Sequence, residues 1–118
     1  MSVDVTHYLG IGVKLDYDKY CRDVDDFYID DKFPELDMYN DDEGVKWIVD
    51  GMCGDYIYLM YVIKKTNWEN FYESDATVQM DLTNISKKAE QKVKEYYDKI
   101  VTDEPWPGVA LVSLFHCH

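Results

Sequence analysis

Val45-Lys46-Trp47-Ile48-Val49-Asp50, then Gly51-Met52-Cys53-Gly54-Asp55, then Tyr56-Ile57-Tyr58-Leu59-Met60-Tyr61-Val62-Ile63-Lys64 is the stretch that decides the fold. Two runs rich in β-branched and aromatic residues flank five residues whose glycines permit positive φ, and this predicts a hairpin. In the second arm Ile57, Leu59, Tyr61 and Ile63 oppose Tyr56, Tyr58, Met60 and Val62. Both faces are apolar or aromatic, so that arm is expected to be a central strand.

Working outward, Val5 to Leu15 alternates Leu9, Ile11, Val13 and Leu15 with Tyr8, Gly10, Gly12 and Lys14, which is strand chemistry. Tyr17 to Asp31 places Tyr20, Val24 and Phe27 at helical spacing, with Asp16 or Asp18 near the start to complement the helix dipole. Lys32 to Gly44, with Pro34, Asn40 and Gly44 among acidic residues, reads as an adaptable loop. Beyond the hairpin, Asn67 to Asp75 is a connection, and Thr77 to Leu82 alternates Val78, Met80 and Leu82 with Gln79 and Asp81 as one more short strand. Ile85 to Val101 repeats Ile85, Ala89, Val93, Tyr96 and Ile100 every three or four residues, the strongest helical pattern, with Thr83 or Asn84 available as a cap. On its surface Glu90 with Lys94 and Glu95 with Lys99 stand at i,i+4 spacing. Pro105-Trp106-Pro107-Gly108 turns the chain, and the nearly continuous apolar run Val109 to Phe115 predicts a last strand inside the sheet.

At 118 residues a single α+β domain is expected over 1–118, with a mostly antiparallel sheet of four to five strands and two helices packed on one face. The element order is that of a ferredoxin-like (split βαβ) variant. With 47% hydrophobic and 15% aromatic residues the chain has enough apolar surface to offset the entropy of ordering.

Charge is the second signal. The formal net charge is -12, and Asp16 to Glu43 holds twelve carboxylates against Lys19, Arg22 and Lys32, a net of −9. Such a protein is repelled by anionic lipid and lacks the basic footprint that direct nucleic-acid binding requires. Its natural partner is a basic protein surface. If Tyr17 to Asp31 is helical it runs about 22 Å, a length over which a DNA strand carries roughly six or seven phosphates. Six carboxylates lie in that segment, on Asp18, Asp23, Asp25, Asp26, Asp30 and Asp31, with Asp23, Asp26 and Asp30 on one flank. Lys19 and Arg22 interrupt the row, and Glu35, Asp37, Asp41, Asp42 and Glu43 extend it. The expected binding residues are therefore Asp23, Asp25, Asp26, Asp30, Asp31, Glu35, Asp37, Asp41, Asp42 and Glu43. In size and charge the chain resembles, in character only, the small acidic proteins with which phages disarm restriction or CRISPR nucleases. That resemblance implies an inhibitor that occupies the nucleic-acid groove of a nuclease or other nucleic-acid-binding complex; no residue pattern carries family positions over.

Other chemistries fare less well. The EF-hand template fails: Tyr20 stands at the third ligand position when counting from Asp16, and Tyr39 at the first when the glycine is Gly44. In His116-Cys117-His118 a strand would set the histidines on one face and the thiol on the other, so neither three metal ligands nor a Cys–His nucleophilic pair results. Gly10-Ile11-Gly12 lacks the third glycine of a dinucleotide loop and reads as a place where another element packs closely. Asn84-Ile85-Ser86 is a glycosylation match better read as helix capping. No serine elbow, phosphate loop or desolvated carboxylate pair appears, so no enzymatic role and no cofactor are expected. Cys21, Cys53 and Cys117 show no metal-like pairing, and with no leader pattern the reducing cytoplasm is the expected location, the host cytosol if the protein is phage-encoded. The longest apolar stretch, Tyr56 to Ile63, is strand length, so no membrane span is expected. The alternative function is a small-molecule-binding or homodimerising module, in which Trp47, Tyr56, Tyr58, Trp68 and Tyr72 form an aromatic wall on the sheet.

Overall fold

The computed structural model describes residues 5–21, 32–38, 44–50, 54–67 and 81–117. Its elements are β1 (Val5–Leu15), α1 (Tyr17–Cys21), a 3-10 turn (Pro34–Leu36), β2 (Gly44–Val49), β3 (Ile57–Asn67), α2 (Leu82–Ile100) and β4 (Ala110–Cys117). The strands form one sheet in the order β2-β3-β1-β4, antiparallel at every pairing. The fold class is α+β. The hairpin reading holds in the pairing of β2 with β3 from Val49↔Ile57 to Gly44↔Val62, and β3 lies between β2 and β1 as its two apolar faces require.

Strand periodicity sorts the side chains onto the two faces. Ile11, Val13, Leu15, Val45, Trp47, Ile57, Leu59 and Tyr61 meet Ala89, Val93 and Tyr97 of α2, with Tyr17 and Tyr20 of α1 packed against the same cluster. Tyr8, Ile48 and Met60 form a second cluster on the other face, joined by Met38, Tyr56, Tyr58, Val62, Val112 and Leu114. Burial is deep on both sides, since Ile48, Leu59 and Met60 are all 0% exposed.

Gly10 and Gly12 are the close-packing site the sequence suggested. A Cβ on Gly12 would run into the Leu59 carbonyl oxygen and come within 2.6 Å of Met60 Cα; one on Gly10 would meet the Tyr61 carbonyl and lie 2.7 Å from Met60 Cγ. Met60 thus fills the space two absent side chains leave. Beside it the register slips: Leu9 pairs with Lys64 but Gly10 with Val62, so Ile63 is the extra residue of a bulge. The bulge reverses the parity of β3, bringing Lys65 opposite Tyr8 with its Nζ 5.8 Å from that ring. Beyond the bulge β3 runs on to Asn67, paired with Thr6, where the alternating pattern ends at Lys64.

Four strands are present among the described residues, the lower of the four to five expected; of the strand read over Thr77 to Leu82, 77–80 lie outside them, while Asp81 is the N-cap of α2 and Leu82 its first residue. Two further expectations need correction. The cap is Asp81 rather than Thr83 or Asn84, because its carboxylate accepts from Thr83 N at 3.0 Å and from Asn84 Nδ2 at 2.9 Å. Among the described residues the last strand is an edge, not internal. Its Val112 and Leu114 pack on the second cluster, but α2 crosses β1, β3 and β2, leaving Leu111 and Phe115 64% and 66% exposed. A continuous apolar run identifies a strand without saying that both faces are covered. Of the predicted Tyr17–Asp31 helix, Tyr17–Cys21 is helical and 22–31 lie outside the described residues.

Gly12→Ala is expected to lower unfolding free energy by about 1–3 kcal/mol through overpacking against backbone that cannot yield. Leu36→Ala, at a 0% exposed position, is expected to cost about 2–5 kcal/mol. Urea denaturation measures both, and a gain in stability at Gly12 would contradict the close approach.

Candidate partner-binding surface

Of the ten expected binding residues, Glu35 and Asp37 fall among the described residues; Asp23, Asp25, Asp26, Asp30, Asp31, Asp41, Asp42 and Glu43 lie outside them. The segment carrying Glu35 and Asp37 is not an adaptable loop. Pro34 opens a 3-10 turn in which Leu36 and Asp37 donate backbone N–H groups to Phe33 and Pro34 oxygens at 3.0 and 3.3 Å, and Leu36 is driven into the main core. Asp37 then forms a parallel bridge to Trp47, and Met38 enters the second cluster. The chain therefore passes along the outer edge of β2 with an apolar anchor on each face. Two lysines from the sheet fasten it: Lys46 Nζ donates to the Glu35 carbonyl at 3.2 Å and Lys65 Nζ to that of Met38 at 3.4 Å.

Glu35 is anchored from the helix layer as well, since Tyr96 of α2 donates its hydroxyl to Glu35 Oε1 at 2.9 Å. A hydrogen bond from backbone first, and the Tyr96 hydroxyl second, hold the Glu35 carboxyl below its ordinary range. Burial first, and the Glu35 bond second, push the Tyr96 phenol up to about 12. The carboxylate is thus charged and fixed in place.

Around α1 a second group of carboxylates forms. Asp16 accepts the Asp18 N–H at 3.0 Å on its side chain and that of Tyr20 at 3.2 Å on its carbonyl, starting the helix. Lys19 is one of three cations inside the acidic block. It reaches the loop after α2, with Nζ 2.7 Å from Asp103 Oδ2 and 3.4 Å from Glu104 Oε1. Its hydrogen bond to Asp103 is what raises the ammonium pKa and lowers that of the carboxyl. One cation meets two anions there, so the interruption seen in sequence becomes locally net negative. Asp103 and Glu104 were missed because they lie sixty residues beyond the block; the only signal was an acidic dipeptide just before Pro105.

A group of the described lysines stands apart on α2. Lys87, Lys88, Lys92, Lys94 and Lys99 all lie on the exposed side of α2. Lys94 pairs with Asp98 at 2.8 Å rather than with Glu90, and Lys99 stands 5.5 Å over the Tyr96 ring rather than pairing with Glu95.

The other candidate chemistries disperse. Trp47 pairs with Leu59 and belongs to the helix-side core, whereas Tyr56 and Tyr58 lie on the opposite face; Trp68 and Tyr72 lie outside the described residues. The aromatic wall is therefore split by the sheet. His116 is buried, its Nδ1 2.7 Å from the Tyr56 hydroxyl, while Cys117 is exposed, so the two diverge as strand neighbours do. His7 pairs with Phe115 and lies 2.8 Å from Ser113 Oγ, across the sheet from His116. No helix among the described residues is long and apolar enough to cross a membrane.

Two titrations test this geometry. Tyr96→Phe is expected to raise the Glu35 carboxyl toward 4.5, read by NMR carboxyl titration; an unmoved titration would remove the Tyr96 contact. In the folded state the Tyr56 and Tyr96 phenols keep their protons to about 12, against 10.0 ordinarily. The folded state therefore binds more protons above pH 10, so stability is full below that pH and declines as pH rises toward 12. Denaturation midpoints across this range should fall less steeply in Tyr56→Phe.

Compared with protein-family models, with curated proteins and with solved structures, the chain has no significant match.

Proposed function

We propose that this is an acidic binding protein whose Asp16–Glu43 surface engages the basic nucleic-acid groove of a partner, a nuclease or other nucleic-acid-binding complex, and competes there with the nucleic acid. The engagement of Lys19 by Asp103 and Glu104 carries this reading. It takes up a cation that would otherwise shield the block and adds two carboxylates beside it. The anchoring of Glu35 by Tyr96 supports it further, because a fixed charge loses less entropy on binding than a mobile one. Clustering like charge costs stability through self-repulsion, whereas solubility is served equally by dispersed charge.

In this reading Asp23, Asp25, Asp26, Asp30, Asp31, Glu35, Asp37, Asp41, Asp42 and Glu43 meet lysines and arginines of the partner. The protein acts in the cytoplasm as a steric and electrostatic inhibitor of the kind phages deploy against restriction or CRISPR nucleases, without catalysis. We read its architecture as the ferredoxin-like split βαβ plan, a reading supported by the strand order β2-β3-β1-β4 and by helices on one face.

The test is capture from host cytosol followed by charge reversal. A basic nucleic-acid-binding protein should be retained and should release its nucleic acid on binding. Its affinity should fall steeply with salt, and Asp23→Lys, Asp26→Lys and Asp30→Lys together should abolish binding while leaving circular dichroism unchanged. Undiminished affinity in that triple variant would sink the proposal.

A further inference from the structure

The two edges of the sheet are treated differently. Along β2 the chain itself supplies cover, through the Asp37–Trp47 bridge, buried Leu36 and the Lys46 and Lys65 hydrogen bonds. Along β4, among the described residues, the only neighbour is β1. An eight-residue strand presents about 27 Å of edge with a row of backbone donors and acceptors. Edges left to solvent are ordinarily blunted by lysines, prolines, inward-pointing charges or bulges. The β4 sequence Ala110-Leu-Val-Ser-Leu-Phe-His-Cys117 contains no proline and no Asp, Glu, Lys or Arg, and its register with β1 is unbroken. On its uncovered face stand Leu111 and Phe115, the two large apolar side chains that are exposed among the described residues.

We propose that β4 is a homodimer interface, two copies pairing their β4 strands antiparallel across a two-fold axis at Ser113 to make one eight-stranded sheet. Three observations select a second copy as the occupant. Antiparallel self-pairing is isologous, so one patch must complement itself; a register centred on Ser113 sets Leu111 of each copy opposite Phe115 of the other, closing both exposed side chains at once. Residues 105–118 form a run without a single Asp, Glu, Lys or Arg in a chain of net charge -12. Two such chains repel across most of their surface, and this is where they approach with no charge to bury. The same register sets the copies of Ser113 side by side, where a polar side chain is tolerated on the axis. This pairing does not depend on the partner proposed for the acidic surface, nor does it use Tyr56 or Tyr58.

Sedimentation velocity from micromolar to near-millimolar chain provides the test. The wild-type protein should pass from monomer to dimer, and Leu111→Lys with Phe115→Lys should weaken dimerisation by about 100-fold or more at unchanged circular dichroism. Higher salt should strengthen the dimer by screening repulsion between copies, the opposite of its expected effect on partner capture. In a background with Cys21, Cys53 and Cys117 changed to Ser, Ser113→Cys should oxidise to a linked dimer, whereas Ala110→Cys, facing residue 116 of the other copy, should not. A wild-type monomer at near-millimolar concentration overturns the proposal. So does a dimer indifferent to the Leu111 and Phe115 changes, or one that Ala110→Cys links as readily as Ser113→Cys.

Discussion

The close approach of β1 to β3 is the constraint on which the rest of the structure depends. Gly10 and Gly12 have no Cβ, so the Leu59 and Tyr61 carbonyls and the Met60 side chain occupy space that any other residue would contest. With Met60 seated there, β3 becomes the strand both faces of the sheet are built around: Leu59 and Tyr61 carry the core beneath α2, and Met60 carries the cluster opposite. Close packing of this kind transmits changes of even a methylene, which is why two glycines in an otherwise apolar strand matter more than their size suggests.

From that centre the elements bearing charge acquire fixed places. Leu36 entering the main core brings Glu35 under the Tyr96 hydroxyl, and Met38 on the other face keeps the chain against β2. The Tyr97 hydroxyl donates to the Pro105 carbonyl at 2.9 Å and its ring meets Trp106 at 5.0 Å. That contact shapes the loop from which Asp103 and Glu104 reach Lys19. Exposed ion pairs contribute little to stability. Their effect here is on the arrangement of the field, since they decide which charges neutralise each other and which remain turned outward.

Much of the fold was legible in order of residues. The period-2 runs in β1, β2 and β3, the glycines at the hairpin, and the stripe of Ala89, Val93 and Tyr96 depend on local backbone geometry, which side-chain alternation records directly. Less of the site could be read. The acidic block was plain as composition, yet whether Lys19 faces it could not be known from Asp16 to Glu43, because its partners stand at Asp103 and Glu104. The aromatic wall failed for a related reason: a hairpin register, not proximity in sequence, put Trp47 with Leu59 and away from Tyr58.

By itself, then, the sequence determined the strands, the long helix, the central place of β3 and the charge imbalance, all properties of short windows. Only the tertiary structure decided that β4 is an edge among the described residues, that the Pro34–Met38 segment is clamped over the opposite edge, and that Lys19 is drawn toward Asp103 and Glu104. Each of these depends on which surfaces meet after the chain closes on itself. An apolar strand looks alike in sequence whether a neighbour covers it or not, and a lysine carries no record of which carboxylate it will reach.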